Sequence, residues 1–230
     1  METAAPPLPS RAQVEQLVRA ALRARRGAPA PAARASANAA PNPLVVNVSA
    51  RHCHLTQATV EQLFGKGHQL KPMKWLYQEG QYAAEESVTL IGPRSRIISN
   101  LRILGPCRDL DQVELARTDA VSLGFKPVVR NSGDIAGTPG CMLMGPKGFV
   151  ELDEGVIRAA PHVHMAPEDA AYYGVENKSF MKLRVHGEVG LTFDRIFVRI
   201  DPSFKLEVHI DTDEGNACGF GPDTACELVK

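Results

Sequence analysis

Two short stretches hold the residues best equipped for chemistry. Arg51-His52-Cys53-His54-Leu55 and Pro161-His162-Val163-His164-Met165 each carry histidines at i and i+2. Successive side chains of an extended strand alternate faces, so each pair projects two imidazoles from one face, close enough to hold one cation. Neutral imidazole suits zinc and its first-row neighbours. One His-x-His alone is a weak signal, because two histidines on a solvated strand are common, but here it is repeated in a similar setting. A helix-start pattern follows each pair, from Thr56 to Phe64 and from Ala166 to Tyr173, with Gly65 and Gly174 at the ends. Farther on, Leu101-Arg102-Ile103-Leu104-Gly105-Pro106 precedes Val113-Glu114-Leu115, while Val198-Arg199-Ile200-Asp201-Pro202 precedes Val208-His209-Ile210. Glu114 and His209 thus occupy matching positions. Each half reads as His-x-His, helix, strand with arginine, strand with one more donor. Two half-sites of three ligands follow: His52, His54 and Glu114, then His162, His164 and His209.

The elements that must position these groups are mostly strands. Leu44 to Ser49 alternates apolar residues and runs directly into the first pair. Short alternating segments at Ser87–Ile91, Ile97–Ile103, Val113–Leu115, Pro127–Val129 and Cys141–Met144 are separated by Gly, Pro and Asn, and Leu183–His186, Gly190–Phe193, Ile196–Ile200 and Leu206–Ile210 repeat the texture. The expected fold is mainly β, with two related small β-barrel domains over residues 44–153 and 154–230 and short capping helices. With 230 residues, 44% of them hydrophobic, the chain can bury a sizeable core. Lys plus Arg equals Asp plus Glu at 26 each, so no overall field attracts nucleic acid or an acidic membrane surface, and any anion site is local. The sequence has no run of eighteen apolar residues and no basic-then-apolar leader, which reads as a soluble intracellular protein. Its five cysteines show no C-x-x-C spacing and are expected to be reduced thiols.

Ahead of the body, Ser10 can cap a helix on which Val14, Leu17, Val18, Ala21 and Leu22 share one face. Residues 27–43, rich in Ala, Pro, Ser and Asn, cannot bury enough surface to offset their ordering entropy and read as a linker. An apolar stripe on a leash needs a partner groove or surface, the plainer alternative being docking on its own domain.

At the level of whole motifs the chain resembles the PduL-type phosphotransacylases, the phosphate propanoyltransferases of bacterial microcompartments. The likeness rests on Ser49-Ala50-Arg51-His52-Cys53-His54-Leu55, Leu101 to Pro106 with Arg108, Ala160-Pro161-His162-Val163-His164-Met165, and Val208-His209-Ile210 with Asp213, Glu214 and Asn216. It spans roughly residues 44–220. One departure is Cys53, where an aliphatic residue is expected; it points away from the paired histidines and reads as a packed thiol. The resemblance extends to residues 10–26, which look like the family's encapsulation helix and imply contact with microcompartment shell or core proteins.

What the resemblance implies is reversible exchange of phosphate and coenzyme A on a short-chain acyl group, aided by two zinc ions per chain. One ion, on His52, His54 and Glu114, would keep the CoA sulfur deprotonated; the other, on His162, His164 and His209, would polarise an acyl or phosphoryl oxygen. Arg108, Ser132 and Arg199 are candidates for phosphate, with Arg108 placed beside the metals. Lys74 and Arg102 match positions that hold CoA, and Asn216 is a candidate for a further polar contact to it. Gly133 to Gly140 lacks the Lys-Ser/Thr ending of a phosphate loop and reads as a turn near the site. His68 and His186 are expected to be ordinary histidines, and core, subunit-interface and adenine-stacking roles are all open to Trp75. A homodimer or larger assembly is the expected state. Two other classes compete: a small-barrel non-haem metal oxygenase, which would gather its ligands on one metal, and a non-catalytic zinc-stabilised shell-binding module. No motif reports acyl chain length.

Overall fold

The computed structural model describes residues Asn42 to Lys230. The helix expected over residues 10–26 lies outside them, as does the linker except for its last two residues. Of those two, Asn42 is tied down, its Nδ2 donating to Asp169 Oδ1 at 2.9 Å. Among the described residues no helix is long and apolar enough to cross a membrane.

As expected, the chain is mainly β, with two curled half-barrel sheets and short helices. In chain order the elements are β1 (Val45–Ser49), β2 (His52–His54), α1 (Gln57–Phe64), β3 (Pro72–Trp75), β4 (Tyr82–Ile91), β5 (Ile97–Gly105), β6 (Gln112–Glu114), α2 (Arg117–Leu123) and β7 (Val129–Arg130). Then come β8 (Cys141–Met144), β9 (Phe149–Leu152), β10 (Val156–Ala159), β11 (His162–Met165), α3 (Pro167–Tyr173), β12 (Phe180–Val185), β13 (Leu191–Ile200), β14 (Glu207–Asp211), α4 (Thr212–Cys218) and β15 (Cys226–Val229). One sheet runs β7-β10-β6-β2-β5-β4-β8-β9 with β3 on β4, and the other runs β1-β14-β11-β13-β12-β15.

The sheets exchange strands. β1 pairs in parallel with β14, placing Asn47 opposite His209, and β10 pairs in parallel with β6, placing Ile157 opposite Glu114. The division expected at residues 153 and 154 therefore does not coincide with sheet membership. Ala50-Arg51 and Ala160-Pro161 are the only residues between the end of a strand in one sheet and the start of a His-x-His strand in the other. These short crossings bring the two motifs to the seam between the sheets.

Alternation sorts the faces. Cys53, Val113, Leu101 and Ile103 enter the first core, while Val163, Val208, Ile210 and Val198 enter the second, joined there by Leu44, Val46 and Val48 of the β1 segment. Each fully buried aliphatic side chain of this kind contributes roughly 1.5–3 kcal/mol. The residues between them (His52, His54, Gln112 and Glu114 in one sheet, His162, His164, Glu207 and His209 in the other) take the opposite face.

Polar ties hold the halves in register. Arg158 on β10 donates through Nε to Asp211 Oδ2 at 2.7 Å and pairs through Nη2 with Glu214. Asp213 accepts from Thr118 N at 2.9 Å and from Thr118 Oγ1 at 2.6 Å, joining the starts of α2 and α4. The sequence reading did not anticipate α2 or α4, nor β3, β9, β10 and β15. It also divided β13, because Asp194 and Arg195 interrupt the apolar run; both are exposed in a continuous strand.

Candidate active site

Both His-x-His strands open onto one cleft of about 580 Å³, whose walls include all six expected metal donors together with Arg108, Ser132 and Arg199. Within each triad the potential donor atoms lie within 4.8 Å of one another. In the first, Glu114 Oε2 is 3.6 Å from His52 Nε2 and Glu114 Oε1 is 3.8 Å from His54 Nε2. Donors on a tetrahedral ion with bonds of about 2.0–2.1 Å sit roughly 3.4 Å apart, so a small contraction fits one. His52 Nδ1 lies 2.8 Å from Ala50 O, and His162 Nδ1 lies 2.9 Å from Ala160 O. A carbonyl only accepts, so Nδ1 carries the proton in each ring and Nε2 keeps its lone pair. The same crossing residues that carry the chain between sheets thus also set the tautomers.

The donor chemistry fits a cation. His54 Nδ1, both ring nitrogens of His164 and His209 Nε2 are buried without a hydrogen-bond partner, and such groups call for an explanation. Burial first, then neighbouring His52 and Arg108, pushes His54 down to about 3. Burial and neighbouring histidines likewise hold His162 at about 4 and His164 at about 2. These rings are therefore neutral, the form that ligates. Burial alone would raise Glu114, but the surrounding histidine rings, charged in the acid range where a carboxyl titrates, and the Arg108 guanidinium outweigh it and hold the carboxyl below its ordinary value.

Two guanidiniums complete the cleft. Burial lowers both Arg108 and Arg199 from their ordinary value, the Glu114 carboxylate offsets part of this for each, and Arg199 lowers Arg108 further. Among the described residues neither forms an ion pair; Arg108 Nη1 donates to Ser132 Oγ at 3.3 Å, and Arg199 lies 5.8 Å over the Phe204 ring. Two desolvated cations lining one cleft have the charge and donors to receive an anion with several oxygens. Ser132 is held by Gln112, whose Nε2 donates to Ser132 Oγ at 2.9 Å and to Glu114 Oε1 at 2.7 Å, while Gln112 Oε1 accepts from Gly133 N at 2.7 Å. Sequence reasoning passed over Gln112; its clue was the i, i+2 spacing of Gln-Val-Glu, the same spacing that marked the histidines.

Other expected residues lie elsewhere. Lys74 is exposed on β3, Asn216 is exposed on α4, and neither they nor Arg102 line the cleft. Arg102 Nη1 donates to the carbonyls of Ala84 and Glu85, both at 2.9 Å. It stands opposite His52, whereas Arg199 stands opposite His164, so two arginines alike in sequence differ by one histidine in register. Cys53 is fully buried, and burial drives its thiol well above the ordinary range. His68 pairs with Glu86 at 2.7 Å and His186 lies 4.0 Å from Glu227, neither in the cleft. Trp75 is exposed and meets Tyr82 edge-on at 5.4 Å.

Two curled sheets meeting at a cleft with paired donor triads and two guanidiniums that form no ion pair among the described residues make a mainly β protein whose cleft carries groups suited to a cation and to an anion. Comparison with known proteins narrows this. A family model described as phosphate propanoyltransferase matches residues 45–221. A phosphate propanoyltransferase of Planctopirus limnophila is 57% identical over 224 residues, covering 96% of this chain and 92% of that protein. One from Thermotoga maritima is 50% identical over 188 residues, covering 81% and 89%, and one from Leptotrichia buccalis is 48% identical over 176 residues, covering 76% and 83%. The chain belongs to the phosphate propanoyltransferase family and is a phosphate acyltransferase.

Proposed function

We propose that the cleft exchanges phosphate and coenzyme A on a short-chain acyl group, propanoyl by the names of its relatives, with two zinc ions held by the two triads. The observation that carries this reading is the convergence of both triads and two unpaired guanidiniums on one cleft. An oxygenase with one metal would have no use for the second triad.

In the reaction a phosphate oxygen attacks the acyl carbon, the carbon–sulfur bond breaks, and CoA leaves as its thiolate; nothing is oxidised or reduced. Bound at the triads, zinc would supply Lewis acidity, holding a thiol deprotonated and polarising an acyl oxygen. Arg108 and Arg199, with Ser132, bind and orient phosphate, and their desolvation strengthens that attraction. Glu114, ionised and held by Gln112, adds negative charge to the first centre. Transfer is direct, with no acylated residue on the protein.

The long arm of CoA leaves the cleft through a smaller recess of about 300 Å³ that shares Gln81 and Arg108 with it and includes Gly105. Gly105 pairs with Tyr82, and Tyr82 with Trp75, so this route leads to the β3 hairpin and Lys74. Lys74 and Asn216 meet the diphosphate nucleotide end, and Arg102 contributes only the N–H groups not already given to β4. Residues 10–26 dock on microcompartment shell or core proteins, and the enzyme is a homodimer or larger assembly.

The test is thiol release from propanoyl-CoA and acetyl-CoA by metal-loaded enzyme, with acyl phosphate measured in parallel. Release must depend on phosphate and match acyl phosphate mole for mole. Phosphate-independent release would make the protein a thioesterase instead.

A further inference from the structure

The two triads stand on the same kind of antiparallel strand pair, and a register-by-register comparison exposes a residue that belongs to neither. Across β2 and β6, His52 faces Glu114 and His54 faces Gln112. Across β11 and β14, His162 faces His209 and His164 faces Glu207. Each pair presents a square of four side chains on one face. The corner held by Gln112 in the first square holds Glu207 in the second, and the corner of Glu114 holds His209. One carboxylate is present in each square, but it has moved from beside the first histidine to beside the second.

Glu207 is 2% exposed. A carboxylate so deeply buried needs partners, and here they are amides: Gln78 Nε2 donates to Oε2 at 2.7 Å and Asn47 Nδ2 donates to Oε1 at 3.1 Å. Gln78 is itself pinned, accepting from Lys205 N at 3.1 Å and donating to Lys205 O at 3.0 Å. The carboxylate is therefore fixed in place by groups from outside its own strand. Its Oε2 lies 3.2 Å from His209 Nε2, yet that nitrogen has no hydrogen-bond partner, so the approach is off the ring-nitrogen axis. On the far side of the ring, His209 Nδ1 lies 3.3 Å from Ser49 Oγ. The imidazole is bracketed between Ser49 and Glu207 with one nitrogen left free.

We infer that Glu207 is a positioning residue of the second centre, setting the His209 ring between itself and Ser49 and supplying the negative charge that three neutral imidazoles lack. This inference rests on the metal-binding reading of the triads. The charge matters because Arg108 and Arg199 line the same cleft and repel a dication, and the first centre already has Glu114 against them. Outer-shell groups that position a ligand and tune the charge of a metal site are typically worth about 10–100-fold in metal affinity.

The experiment is metal stoichiometry and chelator competition on full-length protein, comparing wild type with Glu207→Gln, which keeps the side chain's shape and removes its charge. Wild type should hold two ions; Glu207→Gln should keep the first unchanged and bind the second about 10–100-fold more weakly. His162→Ala combined with His164→Ala identifies which ion is the second. Gln78→Leu, which removes the 2.7 Å donor to Oε2, should weaken the same ion alone, and it serves if Glu207→Gln does not fold. Both ions held as tightly as in wild type, with only a lower melting temperature of the metal-free protein, would mean that Glu207 merely braces the fold and would overturn the inference. Wild type binding fewer than two ions would overturn the metal reading itself, and the role of Glu207 with it.

Discussion

Replacing Arg108 by alanine separates a phosphate receptor from a structural arginine. Arg108 is desolvated, attracted by Glu114, repelled by Arg199 and hydrogen-bonded through its side chain only to Ser132 Oγ at 3.3 Å, so burial and repulsion offset much of what its charge contributes to the empty cleft. A bound phosphate gains much more. Losing a hydrogen bond to a charged group costs about 1.5–3 kcal/mol, or roughly 10–150-fold in affinity at 1.4 kcal/mol per factor of ten. Phosphate at 100 times its dissociation constant stabilises wild type by about 2.7 kcal/mol, whereas a roughly thirty-fold weaker site leaves about 0.9 kcal/mol. At about 2–4 °C per kcal/mol for a body of this size, phosphate should raise the melting temperature by about 5–11 °C in wild type and about 2–4 °C in Arg108→Ala. Differential scanning fluorimetry across a phosphate series reads both numbers. Without phosphate the variant should melt near the wild-type temperature, because relief of the buried charge and of the Arg199 repulsion offsets the lost attraction to Glu114. An unchanged phosphate shift would refute the reasoning. So would a large loss of stability in the phosphate-free variant, since breaking a buried ion pair typically costs 3–5 kcal/mol.

Other expectations follow from the same geometry. Elemental analysis should find two zinc-like ions per chain, and His162→Ala with His164→Ala should lose one while His52 and His54 keep theirs. Acid should destabilise the metal-free protein. An unfolded histidine protonates near pH 6.5, but His54, His162 and His164 stay neutral down to about 3, 4 and 2 when folded. Stability should therefore fall between roughly pH 6.5 and 4 by about 1.4 kcal/mol per pH unit per ring, with no such loss above 6.5; equal urea midpoints at pH 7 and pH 5 would contradict this. Cys53→Ala should keep turnover and cost about 1 kcal/mol as a small core cavity, whereas a trapped acyl-Cys would rule out direct transfer. Removing residues 1–41, which keeps the Asn42–Asp169 bond, should leave turnover nearly intact and abolish co-localisation with a protein shell; the reverse pattern would make that segment part of the catalytic body.

The sequence alone determined which residues could face a site and which would face a core. His52 with His54, His162 with His164, and the intervening Cys53 and Val163 were sorted by strand alternation, a property of a few consecutive residues. The capped helices ending at Gly65 and Gly174 were legible for the same reason, since helix starts and stops are written within one or two turns. Tertiary structure alone decided the rest. Nothing local says that β1 joins the sheet of β14 or that β10 joins that of β6, because strand partners are chosen by burial across long separations in the chain. Register is equally non-local: Arg102 and Arg199 lie in near-identical apolar contexts, yet one bonds to the carbonyls of β4 and the other lines the cleft. Glu207 was hidden in the same way, as an acidic residue in an ordinary strand until pairing put it opposite His164 and folding brought Gln78 and Asn47 to it. A side chain's face follows from the backbone repeat around it, but its neighbours follow from which distant strands can bury their apolar faces together, and only the folded chain carries that information.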